Sequence, residues 1–347
     1  MSNFSTLADW GWQSYFQQQL TLEEWSDANP ARIITQHRSQ YQVICESGIQ
    51  TLPAIHTDPP LTVGDWILLS PEGRLLRVLD RASCFRRKAA GSRVSEQLIA
   101  ANVDTVFIVC SLNDDFNLNR IERYLGIVHE AGVEPVVVLS KSDTCDESEE
   151  RKRQVQALDN RLCIELINCL DPESTKVLSP WCRRGKTTAM LGSSGAGKST
   201  LTNTLLGEQR QATAGIREDD SKGRHTTTQR EIMVSPNGTL ILDTPGMREL
   251  QLVDCEAGLQ ATFSDIEALS EKCRFSDCQH HQEPGCAVKA AIAAGEIDQR
   301  RLDNYRKLIR EQALNAASLA ERRADDRNLT RYYRRVQREN NKLKQNE

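Results

Sequence analysis

Residues 187–207 read TTAMLGSSGAGKSTLTNTLLG. The apolar run at 187–191 predicts a buried parallel strand, residues 192–199 have the form G-x-x-x-x-G-K-S, and the apolar segment after them predicts a helix closed by Gly207. A strand, a glycine-rich loop and a helix in this order are typical of a phosphate-binding loop. Its glycines let backbone N–H groups turn toward a phosphate, and the helix N-terminus adds its dipole. The stretch therefore predicts an α/β nucleotide-binding domain.

Every residue of this phosphate loop is a predicted nucleotide contact. Lys198 is expected to reach the β- and γ-phosphates, and Ser199 is expected to ligate a magnesium ion that accompanies the nucleotide. The predicted contacts in this part of the chain are Gly192, Ser193, Ser194, Gly195, Ala196, Gly197, Lys198, Ser199 and Thr200.

A second phosphate-end motif, Asp-Thr-Pro-Gly, occupies residues 243–246. Asp243 follows the apolar run 239–242, and open α/β sheets place ligand contacts at such strand ends. Its carboxylate can hold the magnesium shell, and the Gly246 N–H can contact the γ-phosphate. The D-x-x-G pattern is weak alone, but at a strand end downstream of a phosphate loop it indicates a GTPase.

The segment between these motifs, GRHTTT at 223–228, is typical of a switch in which a hydroxyl joins the magnesium, and Thr227 is the predicted ligand. Met247 follows Gly246, where many GTPases have a glutamine that orients the attacking water. A thioether cannot do this, so His225 is the local candidate for a catalytic role. The alternatives are a histidine that only supports its loop, or a partner or potassium-like ion that positions the water.

The tetrapeptide Ser140-Lys141-Ser142-Asp143 is the predicted base-reading motif, and it follows the apolar run 133–139. Asp143 can accept hydrogen bonds from the guanine ring N–H and amino group, a pair that adenine does not offer, while Lys141 lies against the base. GTPases usually have Asn or Thr where Ser140 stands, and serine keeps a hydroxyl. The alternative is a helix N-cap in an acidic loop. Ordinary GTPases have this motif after D-x-x-G rather than before the phosphate loop, so the order indicates a circularly permuted GTPase.

Strands that alternate with helices predict a doubly wound sheet over about residues 95–250. A helix is predicted at 119–131, ended by Gly132. Residues 167–169 stand where GTPases have a further base-contacting turn, but they match that turn poorly. The predicted strands are 103–110, 133–139, 162–167, 187–191, 231–234 and 239–242.

A cysteine cluster with the spacing Cys273-x4-Cys278-x-His280-x5-Cys286 lies near the C-terminus. Three thiolates and one imidazole are a ligand set of tetrahedral zinc sites, and disulfides are disfavoured in a reduced cytosol. The cluster therefore predicts one structural zinc per chain, with every coordination position filled by protein. His281 is the alternative histidine ligand, because the spacing does not exclude it.

The pattern along the chain divides it into four predicted parts. Residues 1–30 form an N-terminal extension without Lys or Arg; residues 31–85 show short alternating apolar runs typical of a small OB-like β-barrel. An irregular β-rich cap without a binding role is the alternative for that second part. Residues 86–255 are the predicted circularly permuted GTPase domain, and residues 256–347 are the predicted α-helical zinc-binding domain.

Composition restricts the partners and the compartment. The chain has 347 residues and a net charge of −4, so a nucleic-acid surface must be local. Arg86-Arg87-Lys88 and the basic stretch from Ala320, with Tyr332 and Tyr333, are the candidates; a solvated basic helix is the alternative for the tail. The chain has neither an apolar run long enough to cross a membrane nor a signal-peptide pattern, so we expect a cytoplasmic protein that does not enter a membrane. We also expect a monomer.

Taken together, the permuted motif order, GRHTTT, DTPGMRE and the cysteine spacing resemble the ribosome small-subunit-dependent GTPase A family, over nearly the whole chain after residue 30. The resemblance implies GTP hydrolysis stimulated by the small ribosomal subunit and a role late in the maturation of that subunit. It also implies that ribosomal RNA is bound through the OB-like barrel and the zinc domain. Ser140 departs from the family's usual Asn or Thr, and the N-terminal extension lacks the basic residues that many members carry.

Two other functions are compatible with a phosphate loop. A P-loop ATPase or kinase acting on a small molecule would not need the D-T-P-G and S-K-S-D motifs, and its preference for ATP over GTP would reveal it. A binding protein with a vestigial nucleotide site would not need Lys198, Ser199 and Asp243 to be intact. The sequence therefore favours an RNA-associated GTPase that converts GTP to GDP and phosphate.

Overall fold

The computed structural model describes residues 6–54, 57–88, 96–113, 115–207, 230–244, 247 and 255–315. The chain divides into two compact units. The first unit comprises Met1–Arg86, Leu98–Leu250 and Ala257–Thr262; the second comprises Arg87–Gln97, Gln251–Glu256 and Phe263–Glu347. In the ranges given above, no helix is long and apolar enough to span a bilayer.

The elements of these ranges are numbered along the chain. The strands are β1 (Asn29–Gln36), β2 (Gln40–Cys45), β3 (Gly48–Pro53), β4 (Trp66–Leu69), β5 (Leu75–Val78), β6 (Cys84–Lys88), β7 (Glu96–Ala101), β8 (Thr105–Ser111), β9 (Glu134–Ser140), β10 (Cys163–Ile167), β11 (Thr187–Leu191), β12 (Arg230–Val234) and β13 (Leu240–Asp243). The helices are α1 (Ser14–Gln17), α2 (Leu22–Asp27), α3 (Leu118–Glu130), α4 (Ser148–Gln156), α5 (Pro172–Thr175), α6 (Lys198–Leu206), α7 (Glu256–Thr262), α8 (Ser264–Ser270), α9 (Ala287–Ala293) and α10 (299–315). Short 3₁₀ segments lie at Leu7–Trp10, Ser142–Thr144 and Lys176–Leu178.

Five antiparallel strands in the order β3-β2-β1-β4-β5 form the β-rich part of the first unit. The long strand β1 pairs with β2 along one part and with β4 along another, so it bends the sheet around one apolar interior. This arrangement fits the predicted OB-like barrel. The buried side chains of its interior are Ala31, Ile33, Tyr41, Val43, Cys45, Leu61, Ile67 and Leu69.

The segment before β1 packs its aromatic side chains against the OB-like barrel. The Trp12 ring lies 4.8 Å from the ring of Trp66, and Phe16 lies 5.7 Å from the same ring. Trp66 is fully buried and Phe16 is 3 % exposed. Burial of large aromatic rings is among the largest apolar contributions to the stability of a small sheet. The N-terminal segment is therefore part of the core of the OB-like barrel.

The nucleotide-binding part of the first unit is a sheet in the order β10-β9-β8-β11-β13-β12. Its neighbours are parallel except for β12, which runs antiparallel to β13. The phosphate-loop strand β11 is central. Strands from earlier in the chain lie on one side of it and strands from later lie on the other. This order brings the base-reading motif and the phosphate loop to the same edge of the sheet, as the permutation requires.

The OB-like barrel and the nucleotide-binding sheet are hydrogen-bonded into one sheet of eleven strands. The junction is an antiparallel pairing of β1 with β12, in which Thr35 faces Glu231 and Gln36 faces Arg230. Strand β1 thus belongs to both parts. Sequence patterns predicted each part but not this junction.

The second unit contains helices α8 to α10 and the cysteine cluster. Its interior contains an ion pair in which the Arg301 guanidinium donates two hydrogen bonds of 2.8 Å to Asp265. The same guanidinium lies 4.8 Å from the Phe263 ring, and Tyr305 packs 5.3 Å from that ring. These contacts fix α8 against α10 beside the cysteine cluster.

Candidate nucleotide and metal sites

The phosphate loop connects β11 to α6 through three glycines with positive φ. The φ angles are 149° at Gly192, 76° at Gly195 and 101° at Gly197. A Cβ on Gly192 would lie 2.2 Å from the carbonyl oxygen of Val109 in β8, so only glycine fits this close approach. The loop can therefore lie flat on the strand ends, with its backbone N–H groups available to phosphate oxygens.

Lys198 begins α6 and is 9 % exposed. Its ammonium donates a hydrogen bond of 2.7 Å to the Gly192 carbonyl and another to the Ser193 carbonyl. Ser199 and Thr200, both half-buried, follow in the first turn of the helix. A positive charge and the helix N-terminus are thus concentrated at one point, which suits a polyphosphate.

Asp115 is a residue near the phosphate loop that the sequence motifs did not indicate. Its carboxylate accepts hydrogen bonds from the Ser193 hydroxyl and from Arg120 on α3. Burial raises the pKa of Asp115, but the hydrogen bonds from Ser193 and Arg120 outweigh burial and hold that pKa below its usual range. An ionised carboxylate therefore orients the loop. The sequence signal that could have indicated Asp115 was its position just beyond the end of β8. The other motif residues also follow strand ends at this edge of the sheet.

Ser140 joins the predicted base-reading motif to the phosphate loop. It is fully buried at the end of β9, and its hydroxyl donates a hydrogen bond of 2.6 Å to the Ala196 carbonyl. The next residue, Lys141, has a φ of 59° and turns the chain outward, which leaves Ser142 half-buried and Asp143 exposed. The hydroxyl at the first position thus holds two segments far apart in sequence in one arrangement, and the exposed Asp143 is free of the core.

Cys169 places the segment after β10 against the phosphate loop. A Cβ on Gly197 would lie 3.2 Å from the Cys169 sulfur, and the Thr204 hydroxyl on α6 donates a hydrogen bond of 2.6 Å to the Cys169 carbonyl. Burial raises the pKa of the Cys169 thiol to about 11, so the thiol stays protonated at neutral pH. Residues 167–169, whose sequence matches the further base-contacting turn of GTPases poorly, do lie against the phosphate loop.

Asp243 is the last residue of β13 and lies opposite Glu231 of β12. Thr244 follows it and is 5 % exposed, and within the described part of the chain its hydroxyl has no hydrogen-bond partner. Met247 is 3 % exposed, so its side chain points away from solvent. The predicted contacts Gly246, His225 and Thr227 lie outside the described residues.

The four predicted zinc ligands are brought together in the second unit. The ligand atoms of Cys273, Cys278, His280 and Cys286 all lie within 4.8 Å of one another. His280 Nδ1 lies 3.6 Å from the Cys273 sulfur and 3.5 Å from the Cys286 sulfur, and the two sulfurs are 3.9 Å apart. A tetrahedral zinc with Zn–S of about 2.3 Å and Zn–N of about 2.0 Å spaces its ligand atoms about 3.5–3.8 Å apart. The cluster therefore fits a zinc site.

His280, rather than His281, is the histidine of this cluster. A φ of 57° at His280 turns its ring inward, where it is 7 % exposed, and His281 is exposed to solvent. The Nε2 atom of His280 lies 3.0 Å from the Ser270 hydroxyl, which leaves Nδ1 to face the sulfurs. Burial lowers the pKa of His280, with Arg306 nearby adding to this, so the ring is neutral as a metal ligand must be.

Comparison with known proteins identifies the family of this chain. The sequence model of the RsgA GTPase family matches residues 78–253. The small ribosomal subunit biogenesis GTPase RsgA 2 of Vibrio parahaemolyticus is 57% identical over 345 residues, which are 99% of this chain and 96% of that protein. The chain belongs to the RsgA GTPase family. The small ribosomal subunit biogenesis GTPase RsgA of Xanthomonas axonopodis pv. citri is 46% identical over 309 residues, covering 86% of this chain and 85% of its own length.

Solved structures of similar fold extend the RsgA assignment to the architecture. YjeQ from Thermotoga maritima aligns with a TM-score of 0.61 and 25% identity, over 82% of this chain and 98% of its own. YloQ, described as a circularly permuted GTPase, aligns with a TM-score of 0.58 and 24% identity, over 82% and 94%, and supports the fold alone. The predicted fold class, an OB-like barrel, a permuted P-loop domain and a helical zinc-type domain, is confirmed.

Proposed function

We propose that this chain hydrolyses GTP to GDP and phosphate when it docks on the small ribosomal subunit, and that it assists the late maturation of that subunit. The observation that carries the proposal is the 2.6 Å hydrogen bond from Ser140 to the Ala196 carbonyl, which joins the base-reading motif to the phosphate loop. A chain with permuted motifs can use them as a GTPase only if they meet at one edge of the sheet. Membership of the RsgA GTPase family supports the same conclusion.

The positions of the predicted nucleotide-binding residues support the following proposed roles. Lys198 supplies positive charge at the β- and γ-phosphates, and Ser199 with Asp243 would hold the magnesium ion, which neutralises charge that develops during phosphoryl transfer. Asp143 would read guanine with Lys141 against the base. The buried Met247 cannot orient water, so we expect slow hydrolysis by the free protein. Thr227 remains the proposed further magnesium ligand, and His225 the proposed catalytic group.

The proposed cofactor of the second unit is one structural zinc ion. Cys273, Cys278 and Cys286 would bind as thiolates and His280 through Nδ1, and zinc would supply folding energy rather than chemistry, because the ligand set leaves no open position. A zinc-organised unit would give the protein a surface for ribosomal RNA in addition to that of the OB-like barrel. We propose a monomeric, cytoplasmic protein that does not bind membranes, organised as 1–30, 31–85, 86–255 and 256–347.

The test is a comparison of phosphate release from GTP with and without purified small ribosomal subunits, with ATP as a parallel substrate. We expect the subunits to accelerate GTP hydrolysis and expect negligible turnover of ATP. Subunit binding should be stronger with a non-hydrolysable GTP analogue than with GDP and should weaken steeply with salt, because phosphate contacts release counterions. Equal rates with and without subunits, together with binding that ignores both nucleotide and salt, would refute the proposal.

A further inference from the structure

Arg230, the first residue of β12, places its guanidinium against the OB-like barrel and the adjoining strand β7. One of its terminal nitrogens lies 2.6 Å from the Leu98 carbonyl and 3.2 Å from the Ile99 carbonyl. The same nitrogen lies 3.2 Å from the Gln36 side-chain oxygen and 3.4 Å from the Thr62 hydroxyl. This nitrogen carries two N–H bonds, which the acceptors on β7 and on the barrel share, so one charged donor links β12 to both.

The barrel residues that accept hydrogen bonds from Arg230 are themselves held in place by further contacts. The Thr62 backbone N–H donates a hydrogen bond of 2.8 Å to Asp65, whose side chain is fully buried. Asp65 in turn forms an ion pair of 2.6 Å with Arg81. Gln36 is the last residue of β1 and faces Arg230 in the strand register. Arg230 therefore contacts a rigid part of the barrel, and a movement of the barrel would carry these contacts with it.

A single row of residues crosses the sheet from the barrel to the catalytic edge. Thr35 of β1 faces Glu231 of β12, and Glu231 faces Asp243 of β13. Neighbouring strands lie about 4.8 Å apart, so Asp243 is about 10 Å from the barrel strand. Strand β12 thus borders both the barrel and the magnesium end of the nucleotide site.

Among the described residues, the β1–β12 pairing is short, since two residue pairs define its register there. Backbone hydrogen bonds each contribute little net stability, whereas those made by a charged donor are stronger. The contacts of Arg230 therefore add to the attachment of β12 to the barrel.

We propose that Arg230 is a positioning residue that couples the placement of the OB-like barrel to the catalytic edge of the sheet. The proposal rests on the proposed function, because docking on ribosomal RNA is the event that would place the barrel. When the barrel is held, Arg230 and the Thr35–Glu231–Asp243 row hold β12, and with it Asp243, in the arrangement for hydrolysis. Coupling between sites is reciprocal, so the nucleotide must also affect the barrel strand.

The first measurement is the ratio of GTP turnover with subunits to turnover without them. Arg230→Ala should lower this ratio at least about tenfold, equivalent to about 1.4 kcal/mol of coupling. Arg230→Lys keeps the charge but not the planar group and should give an intermediate ratio. Arg153→Ala, which removes a largely exposed arginine on α4, is the matched control and should keep the wild-type ratio. An unchanged ratio in Arg230→Ala, or an equal fall in both rates, would overturn the proposal.

The second measurement does not depend on subunits. Hydrogen exchange of the amides at 33–36 in β1 is compared between the GDP form and the form with a non-hydrolysable GTP analogue. Wild-type and Arg153→Ala proteins should show a nucleotide-dependent difference in protection that Arg230→Ala loses. If the wild type shows this difference in protection but small subunits do not stimulate its GTP turnover, the proposed function fails and the coupling stands. If the wild type shows no difference, or Arg230→Ala retains it, the coupling is wrong.

Discussion

Replacement of Gly192 by alanine should destabilise the first unit more than the same replacement at Gly195. Both glycines belong to the phosphate loop and both have positive φ, 149° and 76°. A Cβ on Gly192 would lie 2.2 Å from the Val109 carbonyl oxygen, whereas a Cβ on Gly195 would have nothing within 4 Å. Val109 is 1 % exposed in the middle of β8, so its carbonyl cannot move unless the strand moves. Comparison of the two alanine variants therefore separates the destabilisation caused by steric overlap from that caused by backbone strain.

The magnitude follows from this geometry. Each substitution forces an L-residue into a disfavoured backbone conformation at about 1–3 kcal/mol. Real Cβ contacts do not fall below 3.0 Å, so Gly192→Ala must also separate the loop from β8 by about 0.8 Å or more. That separation weakens one or two backbone hydrogen bonds between β11 and β8, at about 0.5–1.5 kcal/mol each, an extra loss of about 0.5–3 kcal/mol. At about 2–4 °C per kcal/mol, Gly192→Ala should unfold about 1–12 °C below Gly195→Ala.

Thermal unfolding of the nucleotide-free variants measures this difference. The relevant transition is the one that GDP shifts to higher temperature, because a ligand that binds only the folded unit stabilises it. Gly195→Ala serves as the control for the cost of positive φ. Equal midpoints for the two variants, or a lower midpoint for Gly195→Ala, would show that the close approach to Val109 does not restrict the loop as argued.

Three further predictions concern the remaining site residues. Lys198→Ala or Ser199→Ala should abolish phosphate release from GTP and leave circular dichroism unchanged; wild-type turnover in either variant would remove the phosphate-loop assignment. Asp143→Asn should weaken GTP binding by about 1.5–3 kcal/mol in equilibrium titrations, because it removes a charge-assisted hydrogen-bond pair, and unchanged affinity would mean that guanine is read elsewhere. Cys278→Ser should lose the zinc, about one per chain in metal analysis, while Cys84→Ser outside the cluster keeps it; zinc-free wild-type protein purified without chelator would contradict the site.

The parts of the fold that were predictable are those fixed by short-range chemistry. The predicted strands at 187–191 and 239–242 agree with β11 and β13 to within one residue, since a continuous apolar run followed by glycine or a charged residue marks a buried strand end. Helix α3 begins and ends one residue before the predicted 119–131. The phosphate loop was equally visible, because the glycine requirement is local.

The features that the sequence did not reveal depend on distant segments meeting. Asp115 has no spacing rule that links it to Ser193, and only the fold places its carboxylate on the loop. The pairing of β1 with β12 joins segments nearly two hundred residues apart, and alternation of apolar residues does not specify which strand edges meet. The choice of His280 over His281 was also open, because ligand spacing fits both and only the backbone turn distinguishes them.

Circular permutation gives the barrel two attachments to the nucleotide-binding sheet, one on each side of the phosphate-loop strand. At the entry to β8, Arg32 of the barrel donates a hydrogen bond of 2.9 Å to the Asn102 carbonyl, and the Ser83 hydroxyl donates one of 2.8 Å to the Val103 carbonyl. On the other side, β1 pairs with β12 and Arg230 adds its contacts. Strands β11 and β13 lie between these attachments. A body attached on one side could pivot without disturbing the sheet, whereas one attached on both sides must strain the strands between them when it moves. Displacement of the barrel is therefore expected to act on the strands that carry the phosphate loop and Asp243, and the RNA contact that we propose for the barrel would reach the chemistry through them.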